Sequence, residues 1–350
     1  MTDAVLRQTL APTPSEIIFD TETDESEFYH PNAMDIRAFK DGKEVDYARV
    51  YSIGGGEIVV DGTEYVAPPE VYYENNFDEI EAYCREHDMR IWEYVEKMEG
   101  EKIWDYLEEV WSQMKATIKA GLKAEGVLAG GLGVQRKAAF LYNQYHMDES
   151  AETKENRIVC SYAFAVGEQN ASNGTVVTAP TCGAAGVMPA VLYYWQKKRG
   201  ISDRDILHGL ATGGIIGNII KTNASISGAE CGCQAEIGTA CCMASAALAE
   251  ICGMSLDQIE YAAEVSMEHM LGLTCDPIDG LVQIPCIERN AVAAMRSINA
   301  ISLANFLTHT RKISFDTVVK TMYETGRDIK SHYRETSEGG LAKHYVCACD

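Results

Sequence analysis

Two stretches of the chain, 225–253 and 284–304, are crowded with alanine, glycine, serine, methionine and cysteine. That texture constrains the fold more than any other feature, because the distance between packed helices is set by the side chains at their contact. The second part of the chain is therefore expected to be mostly helical, with small residues where helices meet. Glycine-dense loops interrupt it at 173–186, 223–238 and 271–280. Loops held on a rigid scaffold are where binding residues concentrate. Glycine in such loops lets backbone N–H groups approach a ligand closely, as an amino-acid carboxylate requires.

The first part reads differently. Residues 1–27 are acidic and polar without a usable period and are expected to form a mobile leader. From Met34 the chain alternates and turns in β fashion, with a turn at Lys40–Gly42, an extended run Val45–Ser52, glycines at 54–56 and a further run Glu57–Val60. This predicts a small antiparallel sheet within a partial β domain over 28–75. Helical periodicity begins near Phe77, and Ile103, Leu107, Val110, Met114 and Ile118 form a stripe that faces a core. Residues 76–132 are read as a helical connector, closed by a glycine-rich break at Gly126–Gly133, and 133–350 as a larger helical domain ending in a tail. The fold class is α+β.

The net charge of -22 would repel a phosphate backbone or an anionic membrane surface, which sets nucleic acid aside as a partner. No apolar run is long enough to span a bilayer, and the polar N-terminus lacks the pattern of a signal peptide, so the expected location is the cytoplasm. Twelve cysteines are many for such a chain. In a reducing compartment they are buried small hydrophobes or metal ligands rather than a disulfide framework. Cys233, Cys275 and Cys286 stand in the glycine loops or at their edges, and Asp276-Pro277 and Pro285 punctuate the chain beside two of them. Three thiolates could hold three irons of a cubane and leave the fourth open as a Lewis acid. The spacing lacks a Cys-x-x-Cys signature, and zinc fits it nearly as well.

Five motifs carry a resemblance: Val177-Thr-Ala-Pro-Thr-Cys-Gly-Ala-Ala-Gly186, Asn223-Ala-Ser-Ile-Ser-Gly-Ala-Glu230, Glu268-His-Met-Leu-Gly-Leu-Thr-Cys-Asp-Pro277, Gln283-Ile-Pro-Cys-Ile-Glu-Arg-Asn290 and Tyr333-Arg-Glu-Thr-Ser-Glu-Gly-Gly-Leu-Ala342. In this order the chain resembles the bacterial iron-sulfur L-serine dehydratases from about His30 to its end. The resemblance implies a 4Fe-4S cluster held by Cys233, Cys275 and Cys286, with a tail cysteine, Cys347 or Cys349, able to occupy the fourth iron until substrate displaces it. It implies elimination of water from L-serine to give pyruvate and ammonia. Turns around Thr181, Asn223, Ser225 and Ser227 would hold the carboxylate and amine of the substrate. His269, beside the Cys275 loop, is the catalytic candidate among the histidines, although a histidine at a helix end also serves as a structural hydrogen-bonder.

The sequence departs from the family pattern in two ways. Members carry about a hundred further residues at the front, including a serine-rich stretch ending in His-Thr from which the base is thought to come; the expected partner is thus a subunit that supplies this part, or a second copy in a homodimer. Cys182, Met270 and Ala235 stand where Asn, Asn and Gly are expected. Two lost amides would weaken serine binding or admit another β-substituted amino acid. A non-catalytic iron-sulfur or zinc protein is the reading from a different class.

Overall fold

The computed structural model describes residues 2–20, 28–29, 33–54, 57–63, 70–144 and 148–345. The chain divides into two compact units, Met1–Glu70 and Val71–Asp350.

The first unit contains helix α1 (Thr2–Leu10) and three strands, β1 (Ala33–Lys40), β2 (Lys43–Gly54) and β3 (Glu57–Val60). Helix α1 falls within the stretch read from the sequence as a mobile leader. The strands form one antiparallel sheet in the order β1-β2-β3, with Met34 opposite Val50 and Tyr51 opposite Val59. The turn between β1 and β2 is Asp41-Gly42, both with positive φ (53° and 74°), which gives the connection the twist a two-residue hairpin needs. Asp35 and Arg49 pair across the strands at 2.7 and 2.9 Å. Ile36, Phe39, Val45, Tyr47 and Ile58 remain exposed on this sheet.

The second unit is helical. Its helices are α2 (Phe77–Glu86), α3 (Ile91–Glu99), α4 (Lys102–Gly121), α5 (Ala138–Asn143), α6 (Ala151–Asn170), α7 (Val187–Arg199), α8 (Asp203–Asn223), the short α9 (Gly228–Cys231), α10 (Thr239–Ile251), α11 (Leu256–Glu268), α12 (Cys286–Leu307), α13 (Phe315–Asp328) and α14 (Gly340–His344). Side-chain caps start several of them: the Asn76, Ser150, Ser202, Ser255 and Ser314 side chains each accept the backbone N–H three residues on. The stripe Leu107, Met114 and Ile118 of α4 is buried as its period requires. The glycine break at 126–133 lies within this unit, closed by the bridge Val127–Gln135, with Leu128 packed against Ala171 and Ile287.

At the centre is α10, whose residues Thr239–Glu250 are all buried, surrounded by α7, α8, α11 and α12. This is where the small residues act. A Cβ on Gly213 of α8 would stand 2.8 Å from the Met243 carbonyl oxygen, and one on Gly209 would stand 2.9 Å from that of Ala247. The two backbones are too close for any larger residue, and Gly213→Ala would cost about 1–3 kcal/mol by overpacking. Two serines of this core are paired internally: Ser245 Oγ lies within hydrogen-bond reach of the Cys242 and Ala262 carbonyls, and Ser266 Oγ donates to Ser245 Oγ at 3.0 Å. Tight central packing leaves the loops at the ends of α9, α11 and α12 fixed relative to one another.

Candidate metal and substrate site

Three loops converge at the start of α12. Gly232, with φ of 74°, brings the 232–234 backbone against the 272–275 loop, where Gln234 N–H donates to the Leu273 carbonyl at 3.2 Å. The Gln234 side chain ties the same loops to α13, donating to the Met322 carbonyl and accepting from Gly272 N–H, each at 2.9 Å. A single π-helical turn, Gln234–Gly238, then turns Glu236 inward. The Cys275 strand segment pairs with the 333–335 segment, Cys275 N–H donating to the Tyr333 carbonyl at 2.8 Å and Glu335 N–H to the Cys275 carbonyl at 2.7 Å. Cys286 begins α12 directly after Pro285.

The result is a buried group of donors. The sulfurs of Cys233 and Cys275 and a carboxylate oxygen of Glu236 all lie within 4.8 Å of one another, a set able to hold a metal ion. Cys233, Cys275 and Cys286 are all buried. The three thiols are electrostatically unequal. A hydrogen bond from Cys275, and then the Arg289 guanidinium, hold Cys233 below the ordinary thiol range against the opposing effect of burial. Cys275 is raised by that same hydrogen bond and by burial. Burial, reinforced by charge at Cys233, pushes Cys286 up to about 12. Burial disfavours the thiolate form at Cys275 and Cys286, and a bound cation would offset that cost.

The surroundings orient these groups. Thr181 Oγ1 donates to Glu236 Oε1 at 2.7 Å, so the loop before α7 holds the carboxylate that faces the sulfurs. Burial raises the Glu236 carboxyl, and the Thr181 hydrogen bond works against that rise. Asn290 Nδ2 donates to the Gly183 and Cys286 carbonyls at 2.7 and 2.9 Å, while its Oδ1 accepts Gly186 N–H at 2.9 Å, fixing the same loop to α12. Arg289 donates to the Thr274 carbonyl at 2.5 Å and to Asp276 Oδ1 at 2.9 Å, one residue either side of Cys275. At Gly228 a Cβ would stand 2.5 Å from Glu236 Oε2 and 3.1 Å from the Cys275 sulfur, so glycine alone fits there.

The expected site residues separate into those brought together and those that are not. Cys233, Cys275, Cys286 and Thr181 share this site. Ser227 precedes Gly228 at its edge, where its carbonyl accepts the Cys231 N–H at 3.0 Å, and Ser225 Oγ accepts the Ser227 N–H at 3.0 Å. Asn223 stands elsewhere: its Nδ2 donates to the Asn75 and Ile219 carbonyls, and it lines a pocket of about 570 Å³ with Asn76, Asp78, Glu79 and Asp316. His269 caps its own helix α11, with Nδ1 2.8 Å from the Val265 carbonyl and its side chain 45% exposed. Cys347 and Cys349 lie outside the described residues.

Glu236, Arg289 and Asp276 are site residues that motif spacing missed. The signal for Glu236 was present as an acid inside the apolar, small-residue run that follows Cys233. Of the three departures, Cys182 lies close enough to Glu236 for that charge to add to the burial that raises its thiol. Met270 packs on Gly238, where a Cβ would lie 3.2 Å from its own Cβ. Ala235 is fully buried.

Comparison with known proteins agrees with this picture. The family profile described as serine dehydratase alpha chain matches residues 64–342. Over 334 residues the chain is 44% identical to L-serine dehydratase 2 of Escherichia coli (strain K12), spanning 92% of this chain and 73% of that protein. The L-serine dehydratase of Haemophilus influenzae is 44% identical over 332 residues, covering 91% of this chain and 73% of the relative. That of Streptomyces coelicolor is 42% identical over 333 residues, with the same coverage. With a buried thiol and carboxylate site built from its motifs and with relatives matched along most of its length, the chain belongs to the L-serine dehydratase family and carries its alpha domain.

Proposed function

We propose that this chain eliminates water from L-serine, giving pyruvate and ammonia, with Cys233, Cys275 and Cys286 as the ligands of a 4Fe-4S cluster. The observation that carries the reading is the convergence of two buried cysteines, Cys233 and Cys275, on Glu236, with the buried Cys286 close enough to feel the charge of both Cys233 and Glu236. A cluster held by three thiolates supplies an open, Lewis-acidic iron for a hydroxyl leaving group.

The residues of the chain have separable tasks. Arg289 ties down the Thr274 carbonyl and the Asp276 side chain on either side of Cys275 and, together with the hydrogen bond from Cys275, lowers the Cys233 thiol. Thr181 holds Glu236 in place, and the burial of all three thiols keeps bulk water from them. The glycine-rich turns at Thr181–Gly183 and Ser225–Gly228 offer backbone N–H groups to the substrate carboxylate. Loss of the Cα proton and of the β-hydroxyl leaves aminoacrylate, which tautomerises and hydrolyses to pyruvate and ammonia. We assign the Cα proton to a base outside this group of residues, supplied by a partner subunit or a second copy of the chain. The exposed apolar residues of the small sheet, Ile36, Phe39 and Val45 among them, favour such an assembly. No helix among the described residues is long and apolar enough to cross a membrane, and a cytoplasmic location is part of the same proposal.

The test is anaerobic purification with iron and sulfide analysis and a visible spectrum, before and after L-serine, followed by a pyruvate assay. Four irons per chain with a serine-dependent spectral change supports the reading. A zinc-loaded or colourless protein that ignores serine after reconstitution overturns it.

A further inference from the structure

The segment after α13 returns to the site and is stitched to the Cys275–Gly280 loop. Glu335 N–H donates to the Cys275 carbonyl at 2.7 Å, Ser337 Oγ donates to the Pro277 carbonyl at 2.6 Å, and Leu341 N–H donates to Asp276 Oδ2 at 2.7 Å. Glu335 itself is held with φ of 66°, in the left-handed region that a non-glycine residue seldom adopts without a reason. Ser337 and Thr336 spend their hydroxyls on these turns, Thr336 Oγ1 accepting Glu338 N–H at 3.4 Å. The Glu335 carboxylate is used by none of them. It makes no hydrogen bond and no ion pair among the described residues, yet its charge reaches both Glu236 and Cys275. Its surface stays open to solvent while crowding by its neighbours raises its carboxyl. A solvent-reachable carboxylate with no partner among the described residues, one backbone hydrogen bond from a proposed cluster ligand, is placed to receive a cation from outside.

The cation that an amino acid brings is its α-ammonium. We infer that Glu335 is a specificity-determining residue that accepts hydrogen bonds from the substrate α-ammonium and so selects amino acids over hydroxy acids. The inference rests on the proposed function. It predicts that the left-handed turn at Glu335 is kept to point this carboxylate at the substrate, while Ser337 and Asp276 only fix the segment that carries it. A neutral amide in its place keeps the shape and removes the charge, so a charge-assisted hydrogen bond is lost and the segment's own hydrogen bonds are not.

The experiment uses the anaerobically prepared, cluster-loaded full chain, with any partner its activity requires. Glu335→Gln and Glu335→Asp are compared with the unmodified protein for KM and kcat on L-serine, and for competitive inhibition by glycerate, in which a hydroxyl replaces the ammonium. Glu335→Gln is expected to raise KM about tenfold to a hundredfold, with a smaller change in kcat, unaltered iron content and an unchanged inhibition constant for glycerate. Glu335→Asp should recover part of the loss. Equal weakening of serine and glycerate, or an unchanged KM, would overturn the assignment while leaving the proposed function standing. An unmodified, iron-loaded protein that neither binds nor turns over L-serine would overturn both.

Discussion

Cys233, Cys275 and Cys286 belong to a different region of the molecule from Cys241 and Cys242, although the second pair follows the first of these cysteines by only a few residues. Cys241 and Cys242 sit on α10, wholly buried, and donate to the Ala293 and Ala263 carbonyls at 3.5 and 3.2 Å. Burial raises both, Cys241 to about 11. They face helix backbones and, at Cys241, the Ser297 hydroxyl, with no carboxylate or guanidinium hydrogen-bonded to either sulfur among the described residues, and act as small hydrophobes. Cys233, Cys275 and Cys286 are as well buried, yet they lie at loop ends among Glu236, Arg289 and one another. Burial does not distinguish the packed thiols from the proposed ligands; the charged groups around them do.

The sharpest way to break this comparison is to replace one cysteine in each region. Cys275→Ser is expected to abolish iron retention and bring serine turnover to background, measured by iron analysis and pyruvate release. The same loss from a substitution at Cys242 would show that the regions are not distinct. Next in size, Arg289→Gln should weaken iron retention about tenfold to a hundredfold, as expected for a residue that orients metal ligands; competition with a chelator reads this directly. In the packed region Cys242→Val should instead leave iron content unchanged and cost about 1–3 kcal/mol of stability through overpacking, visible in chemical denaturation.

Two smaller effects sharpen the boundary. Glu264 on α11 is buried, and burial together with the nearby charge of Glu268 raises its carboxyl to about 7. The folded state therefore holds this proton more tightly than the unfolded chain. Stability should fall as pH rises from the ordinary glutamate range to about 7 and level off above it. The expected loss is about 1–3 kcal/mol, and Glu264→Gln should remove that slope from denaturation curves taken across this range. Smallest of all, His269→Gln is expected to change kcat by less than about threefold, because the ring serves its own helix end. A fall of orders of magnitude would make His269 the base and move it into the ligand region.

Several features could be read directly from the chain. The start of α2 at Phe77, the α4 stripe, the hairpin at Asp41-Gly42 and the close helix packing around α10 all follow from period and side-chain size. Of the site, the three cysteines and Thr181 were visible through motif and punctuation. Glu236 was passed over because an acid three residues after a cysteine has no meaning until a π-helical turn points it back at the sulfurs. Arg289 and Asp276 were passed over because their roles depend on contacts between the 274–276 loop and the first turn of α12. Asn223 was drawn in by its place in a motif, but it ends α8 and its amide is taken up by the Asn75 and Ile219 carbonyls.

The sequence by itself determined the local states of the backbone and the family, since both rest on short-range pattern: periodicity, capping residues, glycine at positive φ and ordered motifs. Only the tertiary structure decided which charged groups surround each buried cysteine, with Glu236 beside Cys233 and Cys275, and Arg289 tied to the residues that flank Cys275. Those properties depend on what lies within a few ångströms across loops distant in sequence, where electrostatic and hydrogen-bonding interactions take their strength from burial and geometry that no linear spacing encodes.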